Sequence, residues 1–554
     1  MIQQPAALRQ AFLFFQMPCM AQKIIVYSYQ TEDQEMTFVK KHFMILPALL
    51  AVLLWGCTQQ PPPETTLAPE TEATAPTECD HWDPNEDGIC NGCQTSVMVS
   101  FDIYSVNDLH GKIADGDTHP GVDELTTYIK QARQTKDNVI LLSTGDMWQG
   151  SSESNLTGGN LTTEWMNELD FAAMVLGNHE YDWGEDPIAE NAAIAEFPFL
   201  AINIYDRATD RQVDYCQSSV VVDQGDVQIG IIGAMGDCYR SISAQQVQDV
   251  YFITGDELTN LVMAEAIRLR AEGVDFIIYA IHDGYGESTS AKETPITGSK
   301  LRSYYDTALS AGYVDLVFEG HTHQRYLLRD EYGVYHLQNK GDNKGISHVT
   351  VSFNIATDRS FVEKAELLAT GTYALMEDDP IVEQLLDKYA EEIAISSQVL
   401  GYNTAQRERN ELRQLIADLY YETGMAAWGD RYDIVLGGGF ISVRSPGNLP
   451  VGEVTYSMLQ GLFPFDNQLT LCAVKGKELS SKFFYSSSDN YFLCYEDYGK
   501  SVRENIDPNA TYYVIVDSYT AYYAPNNLTI VEEYDETVFA RDLLAEYIRN
   551  GGFS

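Results

Sequence analysis

Basic residues are scarce in this chain: 35 lysines and arginines stand against 81 aspartates and glutamates, a formal net charge of −46. Such a surface repels nucleic acid and anionic lipid headgroups, which argues against a nucleic-acid-binding role. If the substrate is a phosphate, the site must reverse the sign locally, with bound cations or a few arginines. A long apolar run is also lacking. The main candidate, residues 43–54, is too short for a comfortable transmembrane helix. Cysteines number nine. Cys216 with Cys238, and Cys472 with Cys494, each fall within one predicted domain and could pair in an oxidising compartment. Buried free thiols are the other reading, since spacing alone fixes no disulfide. Apolar and aromatic residues are plentiful at 45% and 11%, enough for large cores, which excludes global disorder. A chain of 554 residues suggests two domains once a leader is removed.

The leader is read from Lys40 and Lys41, the apolar run after them, and the ending Leu54-Trp55-Gly56-Cys57. A charged start, a short apolar stretch and small residues at the cleavage point form an export signal. The ending resembles a bacterial lipobox, with Cys57 as the lipidated residue; an uncleaved anchor helix is the competing reading. An export signal belongs at a chain start, so Met36 is the expected true start and residues 1–35 a gene-model extension. Residues 36–57 are then the lipoprotein signal. Residues 58–78 hold five prolines among Thr, Glu and Ala and read as an extended stalk. Residues 79–95 form a small Cys-rich module. Cys79, His81, Cys90 and Cys93 have the residue types of a zinc site. Asp83, Asn85 and Asp87 resemble half of a calcium loop, with Gln94 where its distal acid belongs. A disulfide-stapled turn is the third reading.

From Ser96 onward, apolar runs alternate with helical stretches, which predicts a layered α/β domain. Five of these runs end in groups able to bind metal. Residues 97–106 lead to Asp108 and His110, residues 139–142 to Asp146, and residues 172–176 to Asn178, His179 and Glu180. Residues 276–281 lead to His282, and residues 314–318 to His321 and His323. Ligands placed just after the C-terminal ends of strands converge at one edge of a sheet. Adjacent glycines permit the tight turns this needs. Two aspartates, one asparagine and four histidines suit Zn, Mn, Fe or Co. One carboxylate bridging two ions about 3.5–4 Å apart would hold a hydroxide for in-line attack on phosphorus.

The set Asp108-x-His110, Gly145-Asp146-x-x-x-Gly150, Gly177-Asn178-His179-Glu180, His282 and Gly320-His321-x-His323 resembles the calcineurin-like metallophosphoesterases. More narrowly, it resembles the 5′-nucleotidase/2′,3′-cyclic phosphodiesterase/UDP-sugar hydrolase family. The resemblance implies a four-layer α/β sandwich domain over residues 96–374, a linking helix over 375–399 and a smaller α/β substrate domain over 400–554. It implies that one divalent ion takes Asp108, His110, Asp146 and His323, and a second takes Asp146, Asn178, His282 and His321. It also implies that His179 faces the scissile phosphate, oriented by Asp182.

The linking helix has its own signal, since Ile381, Leu385, Leu386 and Tyr389 sit at helical spacing through about Ser397. Beyond it, Gly437-Gly438-Gly439-Phe440-Ile441-Ser442-Val443-Arg444 resembles the family's glycine turn ending in arginine. Phe463-Pro464-Phe465-Asp466-Asn467 resembles its Pro-Phe turn, and Arg407-Glu408 its Arg-Glu helix entry. By that resemblance, Phe465 and Tyr519 clamp a base, while Arg407 and Arg444 hold substrate oxygens. Ordinary core packing is the competing role for both rings. The chain departs from the family at Leu436, where an asparagine is usual, and in the longer stretch before Arg444. Residues 522–527 also replace a Gly-Gly-Asp-Gly loop.

The expected function is two-metal hydrolysis of 5′-nucleotides, or of related cyclic or sugar nucleotides, at a bacterial cell surface or in the periplasm. The expected partner is a small phosphate ester, with the membrane reached only through a lipid anchor. A thiosulfonate substrate on the same metals, and a non-catalytic surface binding protein, are the alternatives; the intact ligand set argues against the last. By analogy with the family, the two domains rotate about the linking helix to carry substrate to the metals.

Overall fold

The computed structural model describes residues 83–553, apart from residues 117–118, 291, 445 and 536–537. The expected leader, the lipidation site Cys57, the stalk, Cys79 and His81 lie outside the described residues. Among the described residues, no helix is long and apolar enough to cross a membrane.

Two sheets face each other through the larger part of the chain. The first has six strands in the order Arg359–Ala369, Gly345–Asn354, Met98–Val106, Val139–Ser143, Ala173–Val175 and Phe199–Leu200. The second has seven, with Leu316–Glu319, Phe276–His282 and Gln228–Met235 adjacent at its centre. Central strands are buried on both faces, so they read as continuous apolar runs, such as the wholly buried Phe276–His282. Phe101, Ile103, Leu142 and Val175 of the first sheet meet Ile229, Ile278 and Phe318 of the second in one core. Each such side chain contributes about 1.5–3 kcal/mol by leaving water.

Helices close both outer faces. Asp123–Thr135 turns Leu125 and Ile129 inward, and Asn160–Glu168 turns Leu161 and Trp165 inward. Gly255–Ala271 covers the second sheet with Leu258, Val262, Ala266 and Leu269. The order helix, sheet, sheet, helix is the expected four-layer α/β sandwich.

The C-terminal part forms a five-stranded sheet in the order Tyr491–Cys494, Ile434–Phe440, Thr511–Asp517, Leu469–Lys475 and Thr529–Glu533. Helices Arg409–Trp428 and Ala540–Arg549 pack on one face, and Leu479, Phe483 and Val502 on the other. Two strands lie between those carrying Cys472 and Cys494. At the usual strand spacing these cysteines are beyond disulfide reach. Cys216 and Cys238 are likewise not joined in a disulfide: one thiol donates to the Ala201 carbonyl at 3.5 Å and the other to the His282 carbonyl at 2.8 Å.

The segment between the two parts departs from a single helix. It forms two pieces, Pro380–Lys388 and Ala390–Ile393, which meet at Tyr389. The first begins as its sequence dictates, with Pro380 in its first turn and Asp379 capping the Ile381 N–H at 3.0 Å. Tyr389 stands at the junction, its hydroxyl held by Glu164 at 2.9 Å and the neighbouring Lys388 by the same carboxylate at 2.5 Å. These contacts fasten the segment to the first part of the chain.

Candidate metal centre and active site

Strands Met98–Val106, Val139–Ser143 and Ala173–Val175 run parallel, as do Phe276–His282 and Leu316–Glu319. Their C-terminal ends therefore open at one edge. The chain must turn sharply there to aim side chains inward, and it does so with a left-handed backbone at Asp108, His110, Asp146, His321 and His323, where φ lies between 52° and 69°. Such a conformation costs about 1–3 kcal/mol per non-glycine residue and clusters at functional sites. Glycine is required beside them: a Cβ on Gly177 would stand 2.3 Å from Asp146 Oδ1, and one on Gly145 2.7 Å from His282 Nδ1.

All seven expected ligands converge. His282 Nε2 lies 3.1 Å from Asp146 Oδ2 and 3.3 Å from Asn178 Oδ1. His323 Nε2 lies 3.3 Å from Asp108 Oδ1 and 3.1 Å from His110 Nε2. His321 reaches the same cluster beside His282, ring centroids 5.5 Å apart. The outer nitrogens are tied to backbone carbonyls, His282 Nδ1 to Thr144 at 2.6 Å and His110 Nδ1 to Gln149 at 2.8 Å. That fixes the ring orientations so that each Nε2 faces inward.

The electrostatics fit a cation. Burial, with His323 and His179 nearby, holds the His110 imidazole down to about 3, so it is neutral. Burial works the same way on His282, but Asp146 overrides it and carries that ring up to about 10. Asp146 is held well below the carboxylate range by His282 and His179, against the effect of its burial. Donor atoms lie within 4.8 Å of one another in two overlapping groups, Asp108 with His110 and His323, and Asp108 with Asp146 and His282. Buried carboxylates and ring nitrogens packed this closely are a donor set that divalent cations satisfy, a cation there taking the place of the proton on His282.

His179 stands at the mouth of this cluster. Its Nδ1 is 2.6 Å from Asp182 Oδ2 and its Nε2 4.0 Å from Asp146 Oδ2. Burial lowers its basicity, but Asp182 and Asp146 raise it to about 9, so the ring is cationic at neutral pH.

A cavity of about 370 Å³ joins this cluster to the C-terminal sheet. Phe465, Tyr519 and Arg444 all line it, with Phe440 as a further ring. Phe465 stacks on His179 at 6.0 Å and 20°, and the Arg444 guanidinium lies 5.0 Å from the Phe465 ring centre. Tyr519 packs on Phe440 at 5.8 Å and beside Tyr523 at 6.5 Å. The preceding Pro464 carbonyl accepts from Gln149 at 3.2 Å and Asn155 at 3.4 Å, so the turn is seated on the metal-site loops.

Arg407 is not brought to this cavity. Its guanidinium lies over the Phe553 ring at 5.0 Å and its Nε reaches Asn403 at 3.4 Å. The bridge that pairs Arg407 with Leu449 fixes its backbone there.

Three further residues matter whose roles here the sequence does not reveal. Glu180 is buried and accepts the backbone N–H groups of Gly177, Met147 and Asp146 at 2.7, 2.7 and 2.9 Å. It thereby locks the loops that carry Asn178 and Asp146 together. Arg541 pairs with Asp466 and donates to the Phe465 carbonyl at 3.2 Å, which shapes the aromatic turn from behind. Cys238 brings its sulfur within 4.8 Å of ring nitrogens on His282 and His321. The sequence offers Glu180 only among the groups able to bind metal and Cys238 only as a possible disulfide partner, and Arg541 carries no local signal.

The calcineurin-like phosphoesterase pattern matches residues 103–325, the span that holds the whole cluster.

That stretch is a calcineurin-like phosphoesterase domain.

It is a hydrolase of phosphate esters. The "Endonuclease YhcR" of Bacillus subtilis is 26% identical over 470 residues, which cover 76% of this chain and 37% of that protein. The matched region is thus little more than a third of that relative's length. A "Snake venom 5′-nucleotidase" of Naja atra is 27% identical over 423 residues, with 69% of this chain and 77% of the relative covered. Among solved structures, a "Putative 5′-Nucleotidase" of Staphylococcus aureus superposes with a TM-score of 0.63 at 17% identity, covering 82% of this chain and 98% of that one. This last likeness shows that the two-part fold is shared.

Proposed function

We propose that this phosphoesterase hydrolyses 5′-nucleotides or related cyclic and sugar nucleotides outside the cell, held at the surface by a lipid on Cys57. One observation carries the substrate reading. A single cavity joins the buried ligand cluster and the His179–Asp182 pair to Phe440, Phe465, Tyr519 and Arg444. A phosphate ester bearing a flat heterocycle matches that combination of charge at one end and rings at the other. The 5′-nucleotidase named above, similar over most of its length, supports the same reading. A relative is named an endonuclease, but the −46 charge of this chain favours small nucleotides over a polymer.

Asp108, His110, Asp146 and His323 would hold one divalent ion, and Asp146, Asn178, His282 and His321 a second, Asp146 being common to both. Bound there, divalent cations polarise the phosphoryl group and supply an activated water at neutral pH. The protein's own groups do the rest. Cationic His179 neutralises charge that develops on the phosphoryl and leaving oxygens, and Asp182 keeps its Nε2–H aimed inward. Arg444 holds substrate oxygens, and Phe465, packed on His179, seals the reacting end from water. Leu436 is fully buried in the C-terminal core, so no polar reader of the base comes from that position.

The test is phosphate release by the full chain with Mn, Co or Zn, against 5′-AMP, 5′-UMP, UDP-glucose, 2′,3′-cyclic AMP, bis-p-nitrophenyl phosphate and single-stranded DNA. Turnover of at least one nucleotide is expected. Turnover of the generic diester or DNA alone would discard nucleotide recognition.

A further inference from the structure

Two short turns meet beside the buried ligand cluster. The strand Gln228–Met235 runs parallel to Phe276–His282, with Met235 next to His282. Just past that strand the Gly236 N–H donates to the His282 carbonyl at 3.0 Å, and the turn Asp237–Ser241 begins. The Ser241 hydroxyl closes this turn by donating to the Cys238 carbonyl at 2.6 Å. The turn packs against Asn178–Tyr181, the turn that opens with the expected ligand Asn178. Its second residue is Cys238, which is buried.

The Cys238 sulfur, a His282 ring nitrogen and a His321 ring nitrogen all lie within 4.8 Å of one another. Among the described residues, no other cysteine joins such a group. Both histidines are expected ligands of the second ion, and the packed turn brings Asn178, a third. The thiol itself donates to the His282 carbonyl at 2.8 Å. That bond gives no reason for sulfur at this position, because a thiol is a weak donor and a serine hydroxyl would serve better. What sulfur adds here is softness toward a metal.

A sulfur that faces one half of the centre makes the two halves unlike. The group Asp108, His110 and His323 offers oxygen and nitrogen alone. The second half adds sulfur to its carboxylate, carboxamide and imidazoles. Thiolates favour zinc, whereas oxygen donors suit manganese and magnesium. Zinc also tolerates a fifth donor. On coordination the S–H bond breaks, its proton leaves to solvent, and the hydrogen bond to the His282 carbonyl is given up as the sulfur turns to the cation.

We propose that Cys238 is a sulfur ligand of the second ion and makes that half of the centre a zinc site. This rests on the two-ion reading above. Cys238 is then a metal-selecting residue, set apart from the residues that line the substrate cavity.

The test loads the metal-free full chain with cobalt, which takes the place of zinc and gains a strong near-ultraviolet charge-transfer absorption when a thiolate binds it. Wild type is expected to show that absorption, and Cys238→Ser, checked for unchanged melting temperature, to lose part of it. Subtracting one spectrum from the other cancels any cobalt held by the Cys-rich module. Cys238→Ala is the second variant should serine disturb folding. In competition titrations, Cys238→Ser should hold zinc about tenfold more weakly at one site, and manganese within about twofold of wild type. A wild type that binds two cobalt ions without any thiolate absorption overturns the proposal, whatever the variants do. So does a Cys238→Ser chain whose spectrum and zinc affinity match wild type. A chain that takes up no cobalt overturns the two-ion reading together with the proposal.

Discussion

His179 Nδ1 and Asp182 Oδ2 are 2.6 Å apart, three residues from each other in the chain and both largely buried. The short 3-10 turn Asn178–Tyr181 makes this possible, since it brings the side chain at the second position back over the residue just past the turn. Asp182 is not an expected metal ligand, so its effect passes through His179. Asp182→Asn is therefore expected to lower kcat about 100-fold, with KM little changed. Steady-state kinetics on one nucleotide checks it, and an unchanged kcat would contradict the orienting role.

The two arginines singled out by resemblance are expected to part company. Arg444 lines the cavity and Arg407 stacks on Phe553 outside it. Arg444→Ala should raise KM about tenfold through a lost charge-assisted contact. Arg407→Ala should leave KM within about twofold and lower the melting temperature slightly. Equal effects on KM from both would contradict the placement.

Glu180 accepts four backbone N–H groups at a wholly buried position. Glu180→Ala should cost about 2–3 kcal/mol of unfolding free energy, because the hydrogen bonds to its carboxylate are lost and their donors stay buried. Urea unfolding of the full chain measures this. A loss under about 0.5 kcal/mol, the size of an ordinary surface change, would contradict it.

Much of this site was legible because parallel strands announce themselves twice, by a continuous apolar run and by the ligand-bearing residues just past its C-terminal end. Asp108, Asp146, Asn178, His282 and His321 could be placed together from that logic alone. The left-handed backbone at Asp108, Asp146 and His321 could not, because Asp and His carry no signal for it as glycine does. Glu180 was not assigned for a different reason: it binds backbone groups of separate loops, and nothing in sequence records which loops meet. The same holds for Arg541 behind the aromatic turn. Arg407 misled because a local Arg-Glu motif says nothing about the distant Phe553 that claims its guanidinium. The linking segment looked like one helix because its apolar spacing is regular, and that spacing carries no mark of the break at Tyr389, whose hydroxyl meets Glu164, 225 residues away in the chain.

His336 lies in the second sheet, wholly buried between Glu319 at 2.8 Å and Asp330 at 3.4 Å. Burial alone would weaken it as a base, but hydrogen bonds to Asp330 and Glu319 raise it to about 9 from the ordinary 6.5. Folding thus favours the protonated ring. The stability this contributes is complete below the unfolded value of 6.5 and is lost as pH rises through about 9. The difference in unfolding free energy between wild type and His336→Gln should accordingly narrow between those two pH values. A difference that stays constant or widens would contradict a charged His336.

A hydrolytic metal centre built from seven side chains at five strand ends, with Asp146 shared between its two halves, is tested most directly by metal content. Mass spectrometry of the purified full chain and of Asp146→Ala would be paired with phosphate release by each. Two divalent ions per wild-type chain are expected, with at most one retained weakly by the variant, and phosphate release should disappear with them. An Asp146→Ala protein that keeps both ions, or that hydrolyses its substrate at the wild-type rate, would contradict the shared-carboxylate centre.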